Sequence, residues 1–163
     1  MIVFSNTTPF IALSSIGQLD LLPSLFSEVC IVPEVVEECR VGGPIGVPEL
    51  TSLPWIKQVD SSPEVSSHIL LELDKGEKFT IHTACAQKAD LVIMDEKIGR
   101  NVAEYLGLNV IGTLGILLNA KKKGLIVSFS DCVAEMQRNG LRYHPRLIER
   151  LIRQCGEEGR SLN

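Results

Sequence analysis

The most constraining feature of the sequence is a short apolar run, LVIM at residues 91–94, that lies between two helical patterns. A short run that is apolar at every position and flanked by helices is typical of a strand buried on both faces of a parallel sheet. Asp95 and Glu96 follow it directly. Because open α/β sheets bind ligands beyond the carboxyl ends of their strands, we expect Asp95 to belong to the functional site.

Strands and helices are predicted to alternate along the chain, which favours an α/β fold with a central parallel sheet. The predicted strands are residues 2–4, 29–32, 55–60, 91–94 and 109–111, with 55–60 at an edge. The predicted helices are residues 9–22 (broken near Gly17), 33–40, 61–74, 77–88, 96–107, 113–124, 130–139 and 145–156, with Thr113 as an N-cap.

Length and composition narrow the class of protein. The chain has 163 residues, 45% hydrophobic and 22% charged, which predicts one globular domain over 1–163 with C-terminal helices from about 130. No apolar run reaches the ~20 residues of a membrane helix, and the N-terminus lacks signal-peptide features, so we expect a cytoplasmic protein without a membrane partner. Five cysteines without a CxxC pair predict reduced thiols rather than zinc ligands or disulfides.

The charges are unevenly distributed. Residues 1–75 carry 3 Lys or Arg against 10 Asp or Glu, whereas residues 76–163 carry 13 against 10. An acidic half and a mildly basic half suit a site that holds cations and also meets a polyanion. Two ordinary solvated faces would give the same distribution.

Four oxygen-bearing side chains are predicted at strand or helix ends along one edge of the sheet. They are Asn6, Glu38, Glu77 and Asp95. If they converge, they form the oxygen-rich site that Mg²⁺ or Mn²⁺ prefers, and such a metal can activate water for phosphodiester cleavage. The alternative is that these acids are helix caps or surface residues, since the helix dipole favours an acid in a first turn.

The basic residues also allow two interpretations. Arg100 follows Glu96 by one helical turn, so it forms either a helical ion pair or a phosphate clamp near Asp95. Two further basic groups stand out, the Lys121–Lys123 run and a stripe of Arg146, Arg150 and Arg153. They contact a nucleic-acid backbone or form the solvent faces of amphipathic helices.

Four blocks of the sequence resemble, in order, those of a PIN-domain group akin to VapC toxins. They are VFSNTTPFIAL, IVPEVVEE, LDKGEKFTIHTA and LVIMDEKIGRNVAEYLGLNVIGTLGILLNAKKKGLI, within a resemblance from Ile2 to about Leu151. The resemblance implies a three-layer α/β/α sandwich and an Mg²⁺- or Mn²⁺-dependent ribonuclease acting on RNA. VapC-like proteins are often toxins neutralised by a cognate antitoxin, and homodimers are common among them, so we also expect a homodimer through an apolar helical face.

The resemblance further implies site residues. The acids of the group fall on Asn6, Glu38 (with Glu37 as the weaker choice), Glu77 and Asp95, and a further Glu of the group is replaced by Phe79. The predicted substrate-binding residues are Thr7, Glu96, Arg100 and Thr113. Thr7 is expected to act by hydrogen bonding, and Glu96 stands where the group often has a second Asp.

The departure at Asn6 decides which function to expect. An amide oxygen can coordinate a cation, but it removes one negative charge and the basic oxygen that would orient a water. The chain is therefore a natural weak or inactive protein, a nuclease that cleaves with a neutral ligand, or a nuclease silenced by a deliberate Asp→Asn change. The predicted function is a VapC-like endoribonuclease weakened or inactivated at Asn6. The alternatives are a non-catalytic module that binds nucleic acid or protein and, third, a small-molecule phosphate enzyme.

Overall fold

A five-stranded parallel sheet runs through the computed structural model, which describes residues 1–63 and 72–158. The strands are β1 (Val3–Ser5), β2 (Val29–Ile31), β3 (Ile56–Gln58), β4 (Leu91–Ile93) and β5 (Val110–Ile111), in the order β3-β2-β1-β4-β5. Every neighbouring pair is parallel. The predicted sheet and the edge position of β3 are confirmed.

Helices cover the sheet and complete a three-layer α/β/α sandwich, as expected. They are α1 (Thr7–Ser15), α2 (Leu21–Phe26), α3 (Pro33–Val41), α4 (Lys75–Ala86), α5 (Lys97–Tyr105), α6 (Thr113–Lys122), α7 (Phe129–Arg138) and α8 (Pro145–Gln154). Helix α4 packs against α3 and α5, whereas α6 packs against α1, α2 and α7. Within the described residues, no helix combines the length and apolarity needed to cross a membrane.

The central strands are buried because their side chains are apolar on both faces. Val3, Phe4, Val92 and Ile93 are all within 1% of complete burial, which is the pattern of a parallel strand covered by helices on each side. β3 is half-buried to exposed, as an edge strand can be. All five cysteines have free thiols, as predicted.

Of two predictions about helix ends, one is confirmed and the other is wrong. The break near Gly17 is confirmed, because α1 ends at Ser15 and Gly17 has a φ of +64°, a left-handed conformation that suits glycine. The prediction that Thr113 is an N-cap was wrong, since Gly112 is the N-cap and Thr113 is the first residue of α6. The helix predicted over 61–74 lies largely outside the described residues.

The topology places two strand ends side by side. β1 lies between β2 and β4, so the chain leaves β1 toward one side of the sheet and leaves β4 toward the other. Ser5 is in register with Ile93, and the N–H of Asn6 donates to the carbonyl of Ile93 at 3.2 Å. Such a reversal in strand order opens a crevice beyond the carboxyl ends, and Asn6 and Asp95 stand there.

Candidate functional site

Asn6 is a buried amide at the end of β1, with 2% of its surface exposed. It is the N-cap residue of α1, yet its side chain forms no capping hydrogen bond. Its Oδ1 is buried and has no hydrogen-bond partner among the described residues. An unsatisfied buried acceptor costs about 1–3 kcal/mol, so a partner from outside the chain would stabilise this oxygen.

Glu38 joins the beginnings of two helices. Its carboxylate accepts a hydrogen bond from Thr7 Oγ1 at 2.5 Å and another from the N–H of Gly76 at 2.7 Å. A Cβ atom at Gly76 would collide with this carboxylate. Glu37 is instead largely exposed and forms an ion pair with Arg40 at 3.0 Å. Of the two acids, therefore, Glu38 is the one that points inward. Thr7 was expected to act by hydrogen bonding, and its partner in the structure is Glu38, while a role of Thr7 in substrate binding stays a prediction.

Glu77 is a buried acid in the first turn of α4, with 7% of its surface exposed. Its N–H donates to the N-cap carboxylate of Asp74 at 2.8 Å. Its own carboxylate covers Gly99, where a Cβ atom would lie 2.5 Å from Oε2. Burial, a hydrogen bond to Asp74 and the negative charges of Asp74, Glu96 and Glu38 raise the pKa of Glu77 to about 8. A bound cation would reverse this effect by favouring the charged carboxylate.

Asp95 is tied to the N-terminus of α6. Thr113 donates its N–H to Oδ1 at 2.7 Å and its hydroxyl to Oδ2 at 2.6 Å. Burial raises the pKa of Asp95, while these two hydrogen bonds and the charge of Arg100 oppose the rise. The hydroxyl of Thr113 is thus directed to Asp95, which explains why Thr113 does not cap its own helix. Each carboxylate oxygen has a second lone pair, so both remain able to accept.

Arg100 lies beside Asp95 rather than in a helical ion pair. A Cβ atom at Gly112 would lie 2.8 Å from Arg100 Nη1 and 3.0 Å from Asp95 Oδ1, so both side chains approach the same backbone. The ion pair between Glu96 and Arg100, which their spacing allows, is not among those found in the described part of the chain. Glu96 is exposed, and its charge acts on Glu77.

The acids do not form one compact cluster. Glu38, Glu77, Glu96 and Asp74 influence one another, whereas Asp95 is directed toward Thr113 and Arg100. Within residues 1–63 and 72–158, no group of three or more His, Cys, Asp or Glu side chains is arranged to hold a metal ion. The donor chemistry nonetheless fits Mg²⁺ or Mn²⁺, because carboxylates and a buried, unpaired amide oxygen are hard ligands. Metal binding by these residues stays a prediction.

Two residues lie near Asp95 although the sequence did not place them there: Tyr143, which was not singled out, and Arg150, which was known only as part of a basic stripe. Tyr143 is half-buried, and burial together with the charge of Asp95 raises the pKa of its phenol. Arg150 lines the same cavity as Asp95, Arg100 and Tyr143. No local pattern brings these two residues to β4, because their position depends on how α8 packs. Asp74 did carry a signal, since an N-cap residue three positions before Glu77 resembles a capping box.

The comparison with protein families agrees with the parallel-sheet fold. The model of family DUF3368, described as a PIN domain, matches residues 2–157. The chain therefore belongs to this PIN-domain family. No curated protein and no solved structure matches it. PIN domains are, as a class, nuclease domains that use divalent metals and contact nucleic acid. The expected PIN-domain family is thus confirmed, whereas membership of the VapC-like group stays a prediction.

Proposed function

We propose that this protein is a divalent-metal-dependent endoribonuclease whose activity is weakened by Asn6. The observation that carries the proposal is Glu77, a buried carboxyl whose pKa is raised to about 8 by burial and by three neighbouring acids. Acids gathered in this way repel one another, and a divalent cation relieves the repulsion. Their place at the sheet's switch point, in a PIN domain, makes phosphodiester cleavage the favoured chemistry.

Each residue has a role in this proposal. Glu38, Glu77 and Asp95 would hold Mg²⁺ or Mn²⁺, with Asn6 as a neutral ligand, and the ion would supply an activated water and Lewis-acid stabilisation. Thr7 and Thr113 orient Glu38 and Asp95 through the hydrogen bonds described above. Arg100, next to Asp95, binds the phosphate, and Glu96 adds negative charge to the metal side. Glu96 acts only from a distance, through the effect of its charge on Glu77.

Asn6 accounts for the proposed weakness. A carboxylate at this position would add a negative charge to a dication site and a basic oxygen beside the attacking water. An amide supplies neither, because its oxygen is neutral and a weak base. The burial of Oδ1 without a partner in the described part of the chain supports a ligand role for this atom, so the proposal is reduced catalysis rather than loss of the site.

The test is cleavage of a structured RNA in Mn²⁺ by the wild type and by Asn6→Asp. We expect slow cleavage by the wild type and faster cleavage by Asn6→Asp. Glu38→Gln should abolish cleavage both in the wild type and in the Asn6→Asp variant. Glu37→Gln should have no effect, because Glu37 is the exposed neighbour of Glu38 on α3. If neither the wild type nor Asn6→Asp cleaves although both bind RNA, the nuclease proposal is wrong and the non-catalytic binding module takes its place. The Asn at the first acidic position is what favours that second candidate.

We also propose that the protein is the toxin of a VapC-type pair and acts in the cytoplasm. A small antitoxin-like gene beside its own would support this, and co-expression of that gene product should relieve growth arrest caused by Asn6→Asp. Absence of growth arrest from an active variant would contradict the toxin role.

A homodimer is proposed through α5, which exposes Ile98 at 59% and Tyr105 at 76%. Light scattering of the wild type and Tyr105→Lys tests it, since the variant should be monomeric.

A further inference from the structure

A cavity of about 280 Å³ opens beside Asp95, and none of Glu77's acidic neighbours lines it. Its wall is built by β5, α6 and α8, and most of the lining is apolar, with Leu114, Leu118 and Leu147 as examples. The volume is near the lower end of the ~300–1,000 Å³ range of small-molecule sites. An apolar wall with a few polar groups at one side is the usual form of a ligand site.

The polar groups of the cavity are two arginines, one tyrosine and one acid. Arg100 is half-buried on α5 and Arg150 is exposed on α8, so the two guanidinium groups approach from different helices. Neither belongs to an ion pair within the described residues. Asp95 already accepts two hydrogen bonds from Thr113, so it offsets only part of the positive charge. The cavity therefore suits a ligand with an apolar body and an anionic group.

Tyr143 contributes an aromatic side chain to the lining of the same cavity. It precedes α8 and is half-buried. Aromatic rings stack on nucleobases without strong sequence preference, and guanidinium groups match the geometry of phosphate. A base and its phosphate would thus meet complementary groups in one enclosed space.

We propose that this cavity is a subsite for one nucleotide of the RNA substrate, the one that carries the phosphate that is cut. Arg100 and Arg150 contact its phosphate, Tyr143 contacts its base, and the C-terminal helix α8 thereby influences which RNA is bound. The inference rests on the proposed function for its substrate class. It does not depend on cleavage, because binding to the cavity requires neither the metal nor a carboxylate at position 6.

The experiment is an NMR titration of the protein with 5′-mononucleotides and with short single-stranded RNA, in the presence of EDTA. The backbone amides of Gly112, Gly115 and Leu147 report on the cavity. We expect both ligands to shift these amides, and unphosphorylated nucleosides to bind more weakly. Arg150→Gln should weaken mononucleotide binding about tenfold, the usual effect of losing a charge-assisted contact. Arg153→Gln, one turn further along α8 and outside the cavity, is the matched control and should change binding less than about twofold.

The outcomes separate this inference from the nuclease proposal. Equal loss of affinity in Arg150→Gln and Arg153→Gln would overturn it, because a general basic surface would then explain the binding. Mononucleotide shifts that short RNA does not reproduce would also overturn it, in favour of a site for free nucleotides. If the cavity amides respond as expected but Asn6→Asp shows no cleavage, the subsite stands and only the nuclease proposal fails. Tyr143→Leu, checked for folding by its thermal transition, should weaken RNA and nucleotide binding together.

Discussion

Replacing Glu157 by glutamine should destabilise the protein more than any other single change of an acid outside the proposed site. Glu157 follows α8 and is 6% exposed. Its carboxylate accepts hydrogen bonds from the N–H of Phe129 at 2.7 Å and from the hydroxyls of Ser128 and Ser130 at 3.0 and 2.7 Å. Lys121 Nζ lies 3.6 Å away. The C-terminal segment thus caps the first turn of α7 with a negative charge, where the helix dipole favours it.

The magnitude follows from the pKa of Glu157. Burial opposes ionisation, but the hydrogen bonds from Ser130, Phe129 and Ser128 outweigh it and lower the pKa from an ordinary value of 4.5 to about 2. At about 1.36 kcal/mol per unit, this difference corresponds to about 3 kcal/mol of stability from the charged form. For a domain of this size, that is a fall of about 10 °C in Tm. Because the pKa is lowered in the folded state, the contribution is complete above pH 4.5 and disappears as the pH falls toward 2.

Urea unfolding at neutral pH and at several lower pH values measures the effect. We expect Glu157→Gln to lose about 3 kcal/mol at neutral pH with an unchanged m-value, and the gap to the wild type to narrow below pH 4.5. Glu158→Gln is the matched control, because Glu158 is the exposed neighbour of Glu157. A loss below about 1 kcal/mol, or one that does not change with pH, would refute the argument, since the charge would then not be what stabilises α7.

Three further predictions concern the proposed site. Mn²⁺ should raise Tm more at about pH 9 than at about pH 6.5, because Glu77 must lose a proton near pH 8 before it binds a cation, and Glu77→Gln should remove this dependence. Without metal, wild-type stability should fall between pH 4.5 and about 8, since a raised pKa in the folded state favours the protonated form, and a flat Tm over this range would contradict it. Thr113→Val should cost about 1–2 kcal/mol in urea unfolding, because Asp95 loses a buried hydrogen-bond donor, whereas a neutral result would mean that the hydroxyl bond adds nothing to stability.

The sheet and the position of the site could be predicted because both depend on local sequence. The run 91–94 is apolar at every residue and too short for a helix, which favours a strand covered on both faces, and Asp95 follows it directly. The carboxyl ends of parallel strands share one edge, so Asn6 and Asp95 could be placed together without knowing any contact. Gly17 carried its own signal, as a residue that tolerates a left-handed turn.

What could not be predicted depends on contacts between distant parts of the chain. Thr113 has the chemistry of an N-cap, but its hydroxyl bonds Asp95, because the packing of α6 against β4 brings a charged acceptor within 2.6 Å. Tyr143 reaches the same acid through the docking of α8. In the sequence, Glu157 is an ordinary residue of a polar C-terminal segment. Its stabilising role depends on α7, which begins beside it in the fold. Nor does sequence spacing reveal that Glu77 and Asp95 are directed toward different neighbours.

The bond between Asp95 and Thr113 has a practical consequence for anyone who wants an inactive control. Asp95 holds the end of β4 to the start of α6, so Asp95→Ala would leave the buried N–H and hydroxyl of Thr113 without an acceptor, at about 1–3 kcal/mol for each unsatisfied group. A loss of RNA cleavage in that variant would then mix damage to the scaffold with damage to the chemistry. Glu38 also accepts hydrogen bonds at two helix starts, but its partner Thr7 is half-buried and nearer to water. Glu38→Gln should therefore disturb the fold less, and it is the better inactive control.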